Sequence, residues 1–215
     1  MLCGTNMTDI KISNRSAILR LLHEAGAMSR KQIAARLKLT PATITVIINE
    51  LMNESILVEG NSVPNAGAVG RREVMVEISR EKYVALGLAL SQGLVKFTVV
   101  NLHGEIIHEE TFKLPEILTP EYFAETIGRQ IQLKIASYGY SENFIIGIGI
   151  TVCGVVDFAN GIILDSDGIW EEKNVPIVKM FRKQFSFPVI AANNVRSYAN
   201  AYAFLQHDSQ LQNML

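Results

Sequence analysis

The chain has 215 residues, 48% of them hydrophobic and 19% charged, which is ample for one large folded domain or two small ones and excludes disorder or low complexity as its organisation. Two cysteines, Cys3 and Cys153, are too few for a disulfide framework or a four-cysteine zinc site. The net charge of −1 argues against a nucleic-acid binder until it is divided: residues 1–80 carry ten Lys/Arg against seven Asp/Glu, and the remainder ten against fourteen.

The first residues, Met-Leu-Cys-Gly-Thr-Asn, have neither the basic start nor the apolar core of a secretory signal, so a cytoplasmic protein is expected. Ser13 to Ala25 carries Ile18, Leu19, Leu21 and Leu22 at helical spacing, with Ser13 or Asn14 as N-cap and Gly26 as the stop. Ser29 caps a short helix from Arg30 to Leu37, with Gln32 completing a capping box. Thr40-Pro41 opens a third helix that runs to about Asn53, its apolar positions Ile44, Ile47, Ile48 and Leu51 following the i, i+3, i+4, i+7 pattern. Ile56-Leu57-Val58 and the alternating Val74, Val76 and Ile78 read as two short strands around a glycine-rich loop from Gly60 to Gly70. This order is a winged helix-turn-helix, and residues 1–80 form the expected DNA-binding domain. A small helical bundle without a DNA role is the alternative.

The chemistry favours double-stranded DNA. Between Asp9 and Asn49 there are seven basic residues and two acidic ones. The third helix presents a small polar face of Thr40, Ala42, Thr43, Thr45 and Asn49, which suits a major groove, where Asn bridges N6 and N7 of adenine and Thr meets a thymine methyl. Ser29, Arg30, Lys31, Arg36 and Lys38 lie on the preceding helix and turn, where phosphate contacts are expected. Arg71 and Arg72, at the edge of the glycine-rich loop, are candidates for a minor groove or the backbone.

From Tyr83 the pattern changes. Val84 to Leu90, Val95 to Leu102 and Glu105 to Phe112 read as strands joined by turns at Ser91-Gln92-Gly93 and His103-Gly104. A helix from Pro120 to Ser137 repeats Phe123, Ile127, Ile131 and Ile135. Phe144 to Val152 is a buried strand. The whole apolar run to Val156 is broken by three glycines and a threonine, and it is too short for the roughly 20 residues of a bilayer span. A turn over Gly154 to Asp157, a strand over Gly161 to Leu164, a helix from Ile177 to Phe185, a strand from Val189 to Ala192 and a helix from Val195 to Gln206 complete an α/β layer over residues 81–215.

Several segments then resemble the ROK family of bacterial repressors and sugar kinases, and in particular its winged-helix repressor branch, to which the xylose and N-acetylglucosamine repressors belong. They are the stretch from Met28 to Leu37, Leu39-Thr-Pro-Ala-Thr-Ile-Thr, Gly70-Arg-Arg, the stretch from Ile146 to Gly161, and Phe187-Pro-Val-Ile-Ala-Ala-Asn-Asn-Val. The resemblance implies an actin-like, ribonuclease-H-like body of two lobes with a sugar cleft, of which this sequence would hold the first lobe only. It also implies homodimers and a sugar or sugar-phosphate effector. The sequence reads either as a fragment or as a short regulator that dimerises in another way.

Kinases of the family place an acid in the first hairpin and an Asn-Asp pair after the fourth strand. Here Ala89 stands where the first acid would be, and Asn193-Asn194 replaces the pair, so both the magnesium anchor and the general base would be missing. The resemblance therefore implies a DNA-binding transcriptional regulator of sugar-metabolism genes, not an enzyme. A ROK-type sugar kinase fragment with residual sugar binding is the alternative, and a winged helix that binds protein is a third. Asp167, Asn193 and Asn194 are the residues the resemblance points to for sugar contact. No cofactor is expected, and no metal: the histidines at 23, 103, 108 and 207 are scattered, and Asp157, Asp165, Asp167, Glu171 and Glu172 read better as solvated loop acids than as ligands. Cys153 is read as a packed small residue.

Overall fold

The computed structural model describes residues 7–60, 73–114 and 119–205. The chain divides into two compact units, Met1–Lys82 and Tyr83–Leu215.

In the first unit, α1 (Met7–Ala25) is followed by β1 (Met28–Ser29), α2 (Arg30–Leu37), α3 (Pro41–Asn53), β2 (Leu57–Glu59) and β3 (Met75–Ile78). Helix α1 begins well before Ser13, so the expected N-cap at Ser13 or Asn14 is wrong. The added turns carry Ile10 and Ile12, 47% and 58% exposed, which have no buried partners to betray a helical period. The capping box of α2 forms as the local sequence dictates: the Ser29 hydroxyl accepts from Gln32 N (3.3 Å) and Gln32 Oε1 accepts from Ser29 N (2.8 Å). The wing has three strands instead of two, in the order β1-β3-β2, because the extended Met28-Ser29 pair also bonds to Val76 and Met75. Ile18, Leu22, Ile33, Ile44, Ile48, Leu51, Leu57 and Val76 fill the core, all at most 2% exposed. At roughly 1.5–3 kcal/mol for each buried aliphatic side chain, the four inward residues of α3 alone hold that helix firmly in place.

The second unit is a sheet of β4 (Val84–Ser91), β5 (Leu94–Asn101), β6 (Ile106–Lys113), β7 (Ile145–Val152) and β10 (Val189–Asn193), in the order β10-β7-β4-β5-β6. Strand β7 runs parallel to both β4 and β10, while β4, β5 and β6 form an antiparallel meander. α4 (Pro120–Ser137) and α5 (Ile177–Phe181) share one core with the sheet, tied by an aromatic chain in which Phe123 meets Trp170 at 5.2 Å and Phe181 at 6.1 Å. A two-stranded ribbon, β8 (Val155–Asp157) and β9 (Ile162–Asp165), follows β7, and α6 (Asn194–Leu205) follows β10.

Three expectations are corrected here. Residues 155–157 form a strand, not a turn, because they pair with β9. Helix α5 stops at Phe181, and the stretch after it closes by successive backbone bonds such as Gln184 N to Phe181 O (2.9 Å). Cys153 is exposed, not packed: Val152 takes the last inward position of β7, so the next residue turns outward as the strand ends.

Candidate nucleic-acid interface and ligand edge

Helices α2 and α3 are joined by Lys38, Leu39 and Thr40. Lys38 adopts a left-handed conformation (φ 53°), its N–H capping α2 on Ala34 O. A lysine in that region costs about 1–2 kcal/mol where glycine would cost little, so the turn holds a cation at a conformational expense. Thr40 caps α3: its hydroxyl oxygen accepts from Thr43 N (3.2 Å) and lies 2.9 Å from the Thr43 hydroxyl. Thr45 donates back to Pro41 O (2.8 Å), which settles its hydroxyl proton within the helix.

The faces of α2 and α3 bound a hollow of about 420 Å³ lined by Arg30, Lys31, Ala34, Ala35, Leu39, Pro41 and Thr45. Lys31, Lys38, Thr40, Ala42, Thr45 and Asn49 are all exposed and Thr43 half-buried, so this surface is open to a partner. Ser29 does not belong to it. It is 3% exposed and its hydroxyl is spent on the cap, so its part is to aim the first turn of α2. Asn49 is not free in the way the bridging of adenine requires, because its Oδ1 accepts from Arg30 Nη2 (3.2 Å). Arg71 and Arg72 lie outside the described residues.

The basic residues divide into two groups. Lys11 pairs with Glu50 (2.7 Å), and Arg15 bonds through both terminal nitrogens to Glu54, fastening α1 to α3. The hydrogen bond from Arg15 holds the Glu54 carboxyl below the usual carboxylate range, and Glu54 in turn raises the Arg15 guanidinium. Among the described residues, Lys31, Arg36 and Lys38 have no such acid. Among the described residues, α2 and its turn thus carry four cations without an acidic partner, Arg30, Lys31, Arg36 and Lys38, and Arg20 on α1 is another. Val46, absent from the expected face, is 57% exposed at its centre. Its place four residues after Ala42 was the available signal.

In the second unit the carboxyl ends of the parallel strands line up, with Leu90, Val152 and Asn193 in one row. Ligands of open α/β sheets bind at this edge. Asn193 Nδ2 donates to Gly154 O (2.5 Å) and its Oδ1 accepts from Val195 N (2.8 Å), so its amide pins the end of β10 to the turn after β7. Gly154, at φ 129°, approaches β9 so closely that a Cβ would sit 2.1 Å from Asp165 O. Asn194 opens α6, its Oδ1 accepting from Val195 N (2.9 Å) while its Nδ2 has no partner among the described residues. Asp167 stands apart over the β4–β5 turn. Its carbonyl accepts from Gln92 Nε2 (3.3 Å), its N–H donates to Asp165 Oδ1 (3.1 Å), and its side chain is exposed.

Ala89 faces Lys96 and Thr151 on its neighbouring strands. Two of the loop acids have local partners: Asn160 lowers the Asp157 carboxyl, and Lys173 at 3.0 Å lowers that of Asp165. Among the described residues no three His, Cys, Asp or Glu converge on a metal position, and no helix is long and apolar enough to cross a membrane.

Comparison with known proteins places both units. Residues 86–215 match the model of the ROK family, and residues 13–58 match a winged helix-turn-helix DNA-binding model. The chain belongs to the ROK family. It is 28% identical over 196 residues to the DNA-binding transcriptional dual regulator NagC of Escherichia coli, covering 91% of this chain and 47% of that protein. It is 25% identical over 199 residues to the xylose repressor of Bacillus spizizenii, covering 93% and 50%. The ROK chain thus spans about half the length of the curated relatives it matches. The crystal structure of a ROK family transcriptional regulator, a homologue of the E. coli Mlc protein, superposes with a TM-score of 0.77 at 24% identity, covering 95% of this chain and 51% of that one. An inorganic polyphosphate/ATP-glucomannokinase from Arthrobacter superposes at 0.51 with 17% identity, covering 60% and 51%. The actin-like ROK fold is therefore shared with regulators and kinases alike, and fold alone does not choose between them.

Proposed function

We propose that this chain is a sequence-specific DNA-binding regulator, a repressor of sugar-metabolism genes, whose head docks α3 in the major groove while α2 and the Lys38 turn contact phosphates. The carrying observation is the set of Lys31, Arg36 and Lys38, without acidic partners among the described residues, near the exposed face of α3, on a head of winged helix-turn-helix type. The names of the relatives, NagC and a xylose repressor, support the regulatory and sugar-linked parts of this reading.

The body would sense a sugar or sugar phosphate at the carboxyl edge of its parallel strands, with the Asn194 amide donating to a hydroxyl and Asp167 accepting from one. Operator release requires that the ligand bind the non-operator conformation more tightly. Two heads acting as a homodimer would read two half-sites. Phosphoryl transfer is not part of the function: Ala89 offers no metal-binding acid and Asn194 no base. Capture of genomic fragments on the full chain at physiological salt, followed by release with candidate sugars, tests the reading. Recovery of fragments upstream of sugar-metabolism genes is the expected result. Indiscriminate recovery, or none, would refute it.

A further inference from the structure

This inference rests on the DNA-binding reading above. At 100° per residue, the buried Ile44, Ile47, Ile48 and Leu51 define the inward side of α3, and the line opposite them is Ala42, Val46, Asn49 and Asn53. All four are exposed. Two of them are apolar, and Val46 exposes 57% of its surface at the centre of the line. Beside it lies a hollow of about 480 Å³ whose lining includes Ile10, Lys11, Asn14, Ala42, Thr43 and Val46. An apolar spot within a cationic, polar face fits one group of the major groove in particular, the 5-methyl of thymine.

The second half of the line is set by Arg30. Its Nη2 donates to Asn49 Oδ1 at 3.2 Å and also lies 3.5 Å from Met52 Sδ. A guanidinium has donors only, so this bond fixes the amide with oxygen toward Arg30 and Nδ2 toward the groove. Asn49 is then a donor, without the exposed donor–acceptor pair that bidentate adenine recognition needs. Val46 and Asn49 are about 4.5 Å apart along the helix axis, close to the roughly 3.4 Å between base pairs.

We propose that Val46 and Asn49 read neighbouring base pairs, Val46 taking a thymine methyl and Asn49, held by Arg30 as a positioning residue, donating to an acceptor edge such as guanine O6 and N7. The test uses the full chain and a duplex site selected from a randomised pool. Each thymine is replaced in turn by deoxyuridine, which removes only the methyl. One replacement per half-site should weaken binding about fourfold, the effect of one buried methyl-sized group. Val46→Ala should then bind the thymine and deoxyuridine duplexes equally, while Val46→Ile keeps the difference. Arg30→Ala should shift the neighbouring preference toward adenine, whereas loss of a phosphate contact alone weakens all sites evenly.

The proposal is overturned if sequence-specific binding is indifferent to every deoxyuridine, if Val46→Ala keeps the sensitivity, or if Arg30→Ala lowers all affinities without changing preference. It is also overturned if Val46→Ala alters self-association and leaves DNA binding untouched. A chain that selects no duplex at all refutes the underlying DNA reading, and that result is visible before any substitution is made.

Discussion

Replacing Lys31 and Lys38 together with alanine should flatten the salt dependence of DNA binding, while Lys11→Ala should leave it nearly unchanged. The contrast comes from the structure: Lys31 and Lys38 are exposed without an acidic partner among the described residues, whereas Lys11 is already neutralised by Glu50 at 2.7 Å. Each phosphate neutralised contributes about 0.9 to the slope of log affinity against log salt. One phosphate contact each from Lys31, Arg36 and Lys38 gives a slope of about −2.7 for each head, and the double variant about −0.9. Between 50 and 200 mM salt the native head would lose about 40-fold in affinity and the double variant only about 3.5-fold. Fluorescence anisotropy with a labelled duplex at several salt concentrations measures both slopes. An unchanged slope in the double variant would refute the assignment, as would an equal flattening by Lys11→Ala.

Further outcomes follow from other parts of the chain. Gly154→Ala should destabilise the body by at least about 3 kcal/mol, from positive-φ strain together with overlap on the Asp165 carbonyl, and denaturant unfolding would show it. Native-like stability of that variant would mean the close approach of β9 is dispensable. The Arg15–Glu54 bond lowers the carboxyl of the folded state, so its contribution is fully present above the ordinary value of 4.5 and disappears as pH falls through the depressed one. The stability difference between the native chain and Arg15→Met should therefore shrink in acid, and a difference constant down to the acid limit would contradict the pairing. On the proposed regulatory reading, Asn194→Asp should not produce transfer of labelled phosphate from ATP to a hexose, because Ala89 supplies no acid to hold magnesium. Any phosphorylated sugar from that variant would reopen the kinase reading.

The helix-turn-helix was legible because its signals are local: Ser29 with Gln32, and Thr40 with Pro41, each lie within one turn, and α3 repeats its isoleucines cleanly. The start of α1 was not, since its first turns bury little and leave no period to read. Strand β1 is only two residues long and exists through pairing with β3, nearly fifty residues away. The charge count pointed to the right end of the molecule yet overstated it. Glu50 and Glu54 lie 39 residues beyond the lysine and arginine they neutralise, a pairing that only the fold reveals. Val46 was overlooked because a valine among helical isoleucines reads as core by residue type, and only its position opposite the buried line exposes it. At the carboxyl edge of the parallel strands the candidate asparagines are readable in the sequence, but the commitment of Asn193 to the Gly154 carbonyl depends on the register of three strands.

The central claim is sequence-specific DNA binding by the head, and a ratio of two affinities tests it most directly. The full chain should bind a captured genomic fragment at least about 10³-fold more tightly than a scrambled duplex of the same composition at physiological salt. A ratio near one, with binding that merely fades with salt, would contradict it and leave only a basic surface with no operator to read.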